Sequence, residues 1–173
     1  MSVFQVRRLE IVTSREFGGL CDVLMDCVEG GASVSFMHPM TLAKAADFWR
    51  DVAASVARGE RALIVAEDAE GKIIGTAQAI WATPENQPHR ADISKMLVHR
   101  RARRLGVGAA VLEAAERAAA GAGKSLLVLD TASDEAARLY ERRGWQRVGT
   151  IPDYALWPGG GLCETVVYYK RLG

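Results

Sequence analysis

Residues 96–110, Met96-Leu97-Val98-His99-Arg100-Arg101-Ala102-Arg103-Arg104-Leu105-Gly106-Val107-Gly108-Ala109-Ala110, read as a strand end, a basic turn, a glycine-punctuated loop and the start of a helix. Glycine at 106 and 108 removes Cβ atoms that would hold a ligand off the backbone, and it permits positive φ. A helix that begins there points unpaired N–H groups, with the positive end of its dipole, at whatever lies in front of it. A pyrophosphate suits that place, and arginines at 100, 101, 103 and 104 add fixed charge for phosphate oxygens. On these residues alone, a tight turn with a solvated basic rim stands as an equal alternative.

Two other phosphate-binding loops fit less well. A dinucleotide fingerprint needs a third glycine where Val111 stands, and an acidic residue about 20 positions on. A Walker loop needs a Gly-Lys-Ser/Thr that does not follow here.

Outward from this stretch, residues 91–98 form the strand that feeds the loop. The helix after it carries Val107, Val111, Ala114 and Ala118 on one stripe. Ser125-Leu126-Leu127-Val128-Leu129-Asp130 is nearly all apolar, as a strand buried on both faces should be. A short helix over 134–143 follows, capped by Ser133 or Asp134. This strand–helix–strand succession implies a right-handed crossover and locally parallel strands. Strands over 145–151 and 163–172 close the chain around the loop 157–161. Upstream, the pattern gives a strand over 3–9, a helix from Thr13 or Ser14 to Gly30, and a second helix over 41–58. A hairpin of strands 62–66 and 72–81 comes next, then a loop over 83–90. The connector from Gly30 to Met40 keeps apolar Val34, Phe36 and Met37. Such a loop either tucks under the fold or lines a ligand site, and both readings stay open.

The chain has 173 residues, 49% hydrophobic and 25% charged, which suits one domain around one core. A net charge of +1 supplies no general field for nucleic acid or an anionic membrane, so the basic cluster is local. Three cysteines, Cys21, Cys27 and Cys163, are odd in number and lack metal-ligand spacing; they read as buried thiols in a reducing compartment. The three histidines are far apart, so no metal site is expected. No apolar run approaches a membrane span, and a cytoplasmic protein is expected.

The apolar strand end followed by Arg103-x-x-Gly106-x-Gly108 resembles motif A of the GNAT family of acyl-CoA-dependent N-acyltransferases. Ala136-Ala137-Arg138-Leu139-Tyr140-Glu141-Arg142-Arg143-Gly144-Trp145 resembles the same family's motif B, where a tyrosine on a short helix precedes a glycine–aromatic turn. The segment 30–37 and the tail 147–149 through 169–173 are similar to the tabtoxin-resistance acetyltransferases.

The resemblance implies a fold: one α/β (α+β) domain over 1–173, with a mixed central sheet of about six to seven strands. Helices lie on both faces, and two central parallel strands splay apart. It implies acetyl-CoA as cofactor, held by Met96, Leu97, Val98, Arg103, Arg104, Leu105, Gly106, Val107, Gly108 and Ala109, with Ser133, Ala136 and Tyr140 from the second motif. Ser133 stands where many members carry an asparagine, which leaves a helix cap as its other role. The acceptor pocket implied by the resemblance draws on Ser33, Phe36, Met37, Trp81, Asp92 and Tyr154.

Acyl transfer from a thioester to an amine needs a neutral amine, a stabilised carbonyl oxygen and a protonated leaving thiol. In the family, the splayed strand leaves a main-chain N–H near Leu97 or Val98 for the oxygen, and the pantetheine arm pairs with Met96 and Val98. Tyr140 is the candidate acid. Its reference pKa of about 10 lies above the roughly 8.5 of a thiol, so donation is mildly uphill, and a hydrogen bond suffices. Asp92 is the candidate base, one methylene shorter than the glutamate of one family branch, acting directly or through water; an anchor for the amine's charge and a plain surface-strand carboxylate are its other readings.

The expected function is transfer of acetyl to the primary amine of a small molecule, with an amino-acid-like toxin or antibiotic as the acceptor class. The alternatives are a protein N-terminal or lysine acetyltransferase, and a non-catalytic acyl-CoA-binding module. No nucleic-acid, membrane or metal partner is expected, and the assembly is a monomer or a homodimer.

Overall fold

The computed structural model describes residues 3–173 as β1 (Phe4–Leu9), α1 (Ser14–Glu29), α2 (Leu42–Ala57), β2 (Arg61–Asp68), β3 (Ile73–Trp81), β4 (Arg90–Val98), α3 (Val107–Gly121), β5 (Leu126–Thr131), α4 (Asp134–Arg142), β6 (Gln146–Leu156) and β7 (Leu162–Arg171). A single turn of 3-10 helix, Arg100–Ala102, links β4 to the glycine loop. The strands pair in the order β1-β2-β3-β4-β5-β7-β6. Every neighbouring pair is antiparallel except β4–β5. This is the expected mixed sheet with helices on both faces.

Alternation along the strands builds two cores. On one face, Ile64, Ala79, Ala91, Ile93, Leu127, Leu129 and Tyr168 pack with Val107, Val111, Leu112 and Ala115 of α3 and Tyr140 of α4. On the other, Leu9, Leu63, Val65, Ile73 and Leu97 pack with α1 and α2 around Trp49, which is fully buried. Truncating such a tryptophan costs about 3–5 kcal/mol. The alanines of α3 allow it to ride low on the sheet, and Gly75 of β3 completes that approach: a Cβ there would lie 2.5 Å from Val107 Cγ1.

Local signals start each helix. Thr13 forms a capping box with Glu16, whose Oε2 accepts the Thr13 N–H at 3.0 Å. Glu16 also binds Arg7 of β1 at 2.7 Å, tying the helix start to the sheet edge. Thr41 Oγ1 caps α2 by accepting from Lys44 N at 3.2 Å. Gly106 takes φ +83 as the N-cap of α3, a backbone that glycine adopts without the Cβ clash.

Two departures from the sequence reading matter. The strand expected over 145–151 continues to Leu156, because a register break between Ile151 and Ala155 absorbs Pro152 and Asp153 at the sheet edge. Strand β4 carries a bulge: pairing with β3 jumps from Thr76↔Leu97 to Gln78↔Ser94, and Lys95 adopts φ +48.

Candidate active site

The parallel pairing of β4 with β5 covers only Arg90↔Leu126, Ala91↔Leu127 and Asp92↔Val128. Beyond that rung β5 continues beside β7, while β4 bends at its bulge and stays with β3. The edge of β4 that faces the gap therefore has no strand partner. His99 donates its N–H to Ile74 O of β3 at 2.9 Å. By alternation, Val98 and Met96 turn their main-chain groups to the gap and Leu97 turns its own toward β3. Of the two expected N–H donors, Val98 is the one that faces the opening. Its carbonyl takes the Cys27 thiol at 3.5 Å, and burial pushes that thiol's pKa up to about 11, which keeps it a neutral donor.

At the mouth of the gap stands the N-terminus of α3. Its first intrahelical backbone bond runs from Ala110 N to Gly106 O, 3.1 Å, leaving the N–H groups of Val107, Gly108 and Ala109 without an intrahelical acceptor. A Cβ on Gly106 would meet open space, and one on Gly108 would point between Leu139 and Val98 in ordinary contact. Arg103 and Arg104 are exposed and make no ion pair among the described residues. Arg100 and Arg101, expected to join them, are committed elsewhere. Arg100 binds Asp26 at 2.9 Å and Arg101 binds Asp68 at 2.9 Å, so each staples the loop to a neighbouring element. Leu105 is exposed, whereas the Val107 side chain is buried in the core and only its main chain faces outward. This set of free donors, glycine clearances and unpaired guanidinium groups fits a nucleotide pyrophosphate.

Tyr140, on α4, is 3% exposed, with its ring against Trp145 (5.8 Å between centroids) and Tyr168 (5.9 Å). Its hydroxyl has no hydrogen-bond partner among the described residues. Burial, and then the negative charge of Asp130, push its pKa well above the ordinary value, so the phenol keeps its proton. Ser133 caps α4 by accepting from Ala136 N at 3.2 Å, so its hydroxyl already has a structural task.

On the sheet face away from α3, cross-strand pairing sets Asp92 beside Val128 and Ser94 beside Gln78, with Asp130 further along β5. Asp92 is ion-paired with Arg90, two residues before it, at the last paired rung. The gap itself is flanked by two residues that sequence reasoning missed. Asp130 accepts a hydrogen bond from Thr165 Oγ1 at 2.7 Å. Lys95, on the bulge, donates to Ser35 Oγ at 3.0 Å and sits 5.6 Å from the Phe48 ring centroid. Asp130 was signalled by a single charge ending an apolar strand; Lys95 was signalled by two polar residues in succession, Ser94-Lys95, where alternation slips.

The connector 30–41 closes this side. Phe36 meets Phe48 edge-on at 5.5 Å, Ser33 Oγ donates to Leu156 O at 3.5 Å, and His38 N donates to Pro158 O at 2.9 Å. The first reading of this loop holds, since Val34 and Phe36 tuck onto the core, while Ser35 faces Lys95. Met37 is exposed, with its carbonyl bound by Lys44 at 3.2 Å, and Tyr154 is exposed on the edge strand β6. Trp81 does not join the group. Its side chain packs on the α3 face, its Nε1 donates to Gly59 O at 2.9 Å, and Lys124 lies over its ring at 5.5 Å.

The family model described as acetyltransferase (GNAT) family matches residues 28–145. Solved structures share the fold. A GCN5-related N-acetyltransferase from Kribbella flavida superposes with a TM-score of 0.80 at 22% identity, covering 98% of this chain and 98% of that one. A phosphinothricin acetyltransferase from Sinorhizobium meliloti, solved in complex with AcCoA, gives 0.81 at 18% identity, covering 99% and 89%. A ribosomal-protein-alanine N-acetyltransferase from Brucella melitensis gives 0.79 at 22% identity, covering 97% and 99%. The names of these structures point to different acceptors, so the shared fold by itself fixes none.

Proposed function

This chain belongs to the GNAT family of acetyltransferases, and from that premise we propose that residues 1–173 act as one domain acetylating the primary amine of a small molecule. The observation that carries the reading is the gap between β4 and β5. It opens beside the pyrophosphate-suited α3 terminus and is flanked by Tyr140 and by the charges of Lys95 and Asp130. Bound acetyl-CoA supplies the activated acyl carbon and the thiolate that leaves. The chain's own groups do the rest in this reading. The N–H groups of Val107, Gly108 and Ala109, with Arg103 and Arg104, grip the diphosphate, while Leu105 and Ala136 flank it. Main-chain groups of Met96 and Val98 receive the pantetheine arm, and the Val98 N–H donates to the carbonyl oxygen. Tyr140 donates its proton, or a hydrogen bond, to the departing sulfur. Asp130 faces the incoming amine, and the exposed oxygen of Asp92 accepts the amine's proton through water. The connector residues Ser33 and Phe36 close the acceptor side.

The charged flanks, and the connector's bonds to Lys95 on β4 and to Leu156 and Pro158 at the far edge, favour a small acceptor over a polypeptide, which would need an open groove. This agrees with the likeness to the tabtoxin-resistance branch, and an amino-acid-like toxin or antibiotic is the acceptor class to test first. The test is thiol release from acetyl-CoA with a panel of small amines and with peptides ending in a free N-terminus or carrying lysine. Turnover confined to peptides would overturn the small-acceptor reading; CoA binding with no turnover on either panel would indicate a binding module.

A further inference from the structure

We propose that Lys95 selects acceptors that carry an oxyanion in addition to the reacting amine, an inference that rests on the acceptor side assigned above. Four non-glycine residues among those described have positive φ: Ser35, Lys95, Arg104 and Asp153. Such a backbone is strained for an L side chain and persists where the surroundings impose it. Two of the four touch each other. Lys95, on the β4 bulge, gives its ammonium to the hydroxyl of Ser35, on the connector, at 3.0 Å. Backbone strain in two segments distant in sequence thus serves to bring one cation to the gap.

That cation has no carboxylate within ion-pair distance among the described residues. Arg90, Arg100, Arg101 and Lys170 each have one, and Arg7 has two. Lys95 has a neutral hydroxyl and the face of Phe48, and burial lowers its pKa, opposed by the more distant Asp130. Asp130 is turned to Thr165 instead. Opposite charges are therefore held apart across the gap. A molecule bearing both an oxyanion and an ammonium would bridge them, completing the coordination of Lys95 and setting its amine toward Asp130, whose charge also reaches Tyr140. A neutral amine leaves the cation uncompensated, and a diamine meets like charge.

The experiment compares 4-aminobutanoate with 4-aminobutanamide, and β-alanine with β-alaninamide, with 1,4-diaminobutane as the dication. The full chain is used, with acetyl-CoA for turnover and with CoA for calorimetric binding. In the wild type each carboxylate should exceed its amide by about tenfold or more in kcat/KM and in affinity. Lys95→Met should bring that ratio to near one by raising KM for the carboxylates, and Lys95→Arg should restore most of it. Equal use of acid and amide by the wild type, or an unchanged ratio in a folded Lys95→Met protein, overturns the proposal. If nothing is turned over, calorimetry still decides. Preferential binding of the acid that is lost in Lys95→Met supports the role of Lys95 and counts only against the small-amine reaction; equal binding of acid and amide overturns it.

Discussion

Gly75 of β3 faces Val107, the first residue of α3, so closely that a single added Cβ would stand 2.5 Å from Val107 Cγ1. The strand glycine and the helix valine together set how near the α3 terminus sits to the gap. Gly75→Ala should therefore displace the start of α3. We expect a loss of about 1–3 kcal/mol of stability, as for other overpacked cores, and weaker CoA binding although Gly75 touches no ligand. Thermal unfolding and CoA titration calorimetry measure the two effects.

Gly106→Val tests the cradle differently. Space is open around its missing Cβ, so the penalty comes from φ +83, which a β-branched residue resists at about 1–2 kcal/mol. A folded but less stable protein with little measurable CoA affinity is the expected result. Unaltered affinity would remove the loop from cofactor binding.

Tyr140→Phe should lower kcat by about tenfold to a hundredfold with little change in CoA affinity, since the hydroxyl is asked only to assist the leaving sulfur. Because burial and Asp130 raise the pKa of this phenol, the pH–rate profile should show no falling limb from it below about pH 10. Above that pH the unfolded chain ionises first, so this group's contribution to stability declines as pH rises.

Glu16 gives the opposite sign. Hydrogen bonds from Thr13 and Arg7 lower its pKa from 4.5 to about 2. Its contribution is complete above the unfolded value and is lost as pH falls from about 4.5 toward 2. Glu16→Gln should cost about 1–2 kcal/mol at neutral pH and flatten the acid limb of Tm against pH. A parallel, merely shifted curve would assign acid sensitivity to another carboxylate.

Most of the fold was legible because its elements obey simple periods: the apolar run of β5, the stripe of α3 and the glycine loop between β4 and α3. Local backbone around the candidate site was legible where a motif fixed it, as in the turn at Gly106 and the short helix that carries Tyr140. Elsewhere tertiary pairing intervened. Arg100 and Arg101 look like phosphate ligands until Asp26 and Asp68 are seen to hold them. Trp81 reads as a pocket aromatic, but strand alternation turns it to the α3 face. Lys95 reaches the gap only because a bulge shifts the alternation of β4, and the bulge is defined by its partner strand β3. Pro152 reads as a strand end, yet an outer strand tolerates it.

That outer strand, β6, is bonded to β7 on one side and has no strand on the other among the described residues. Its flat, pairable length is interrupted where Pro152 lacks an N–H and Asp153 turns to φ +53. An intruding chain that tried to extend the sheet from this rim would meet a first slip between Arg147 and Gly149 and a second between Ile151 and Ala155, so no long run of the ladder is open to it. The kink acts as a stop against runaway strand addition, and straightening it, with Pro152→Val and Asp153→Thr together, should shorten the time the protein stays clear in concentrated solution.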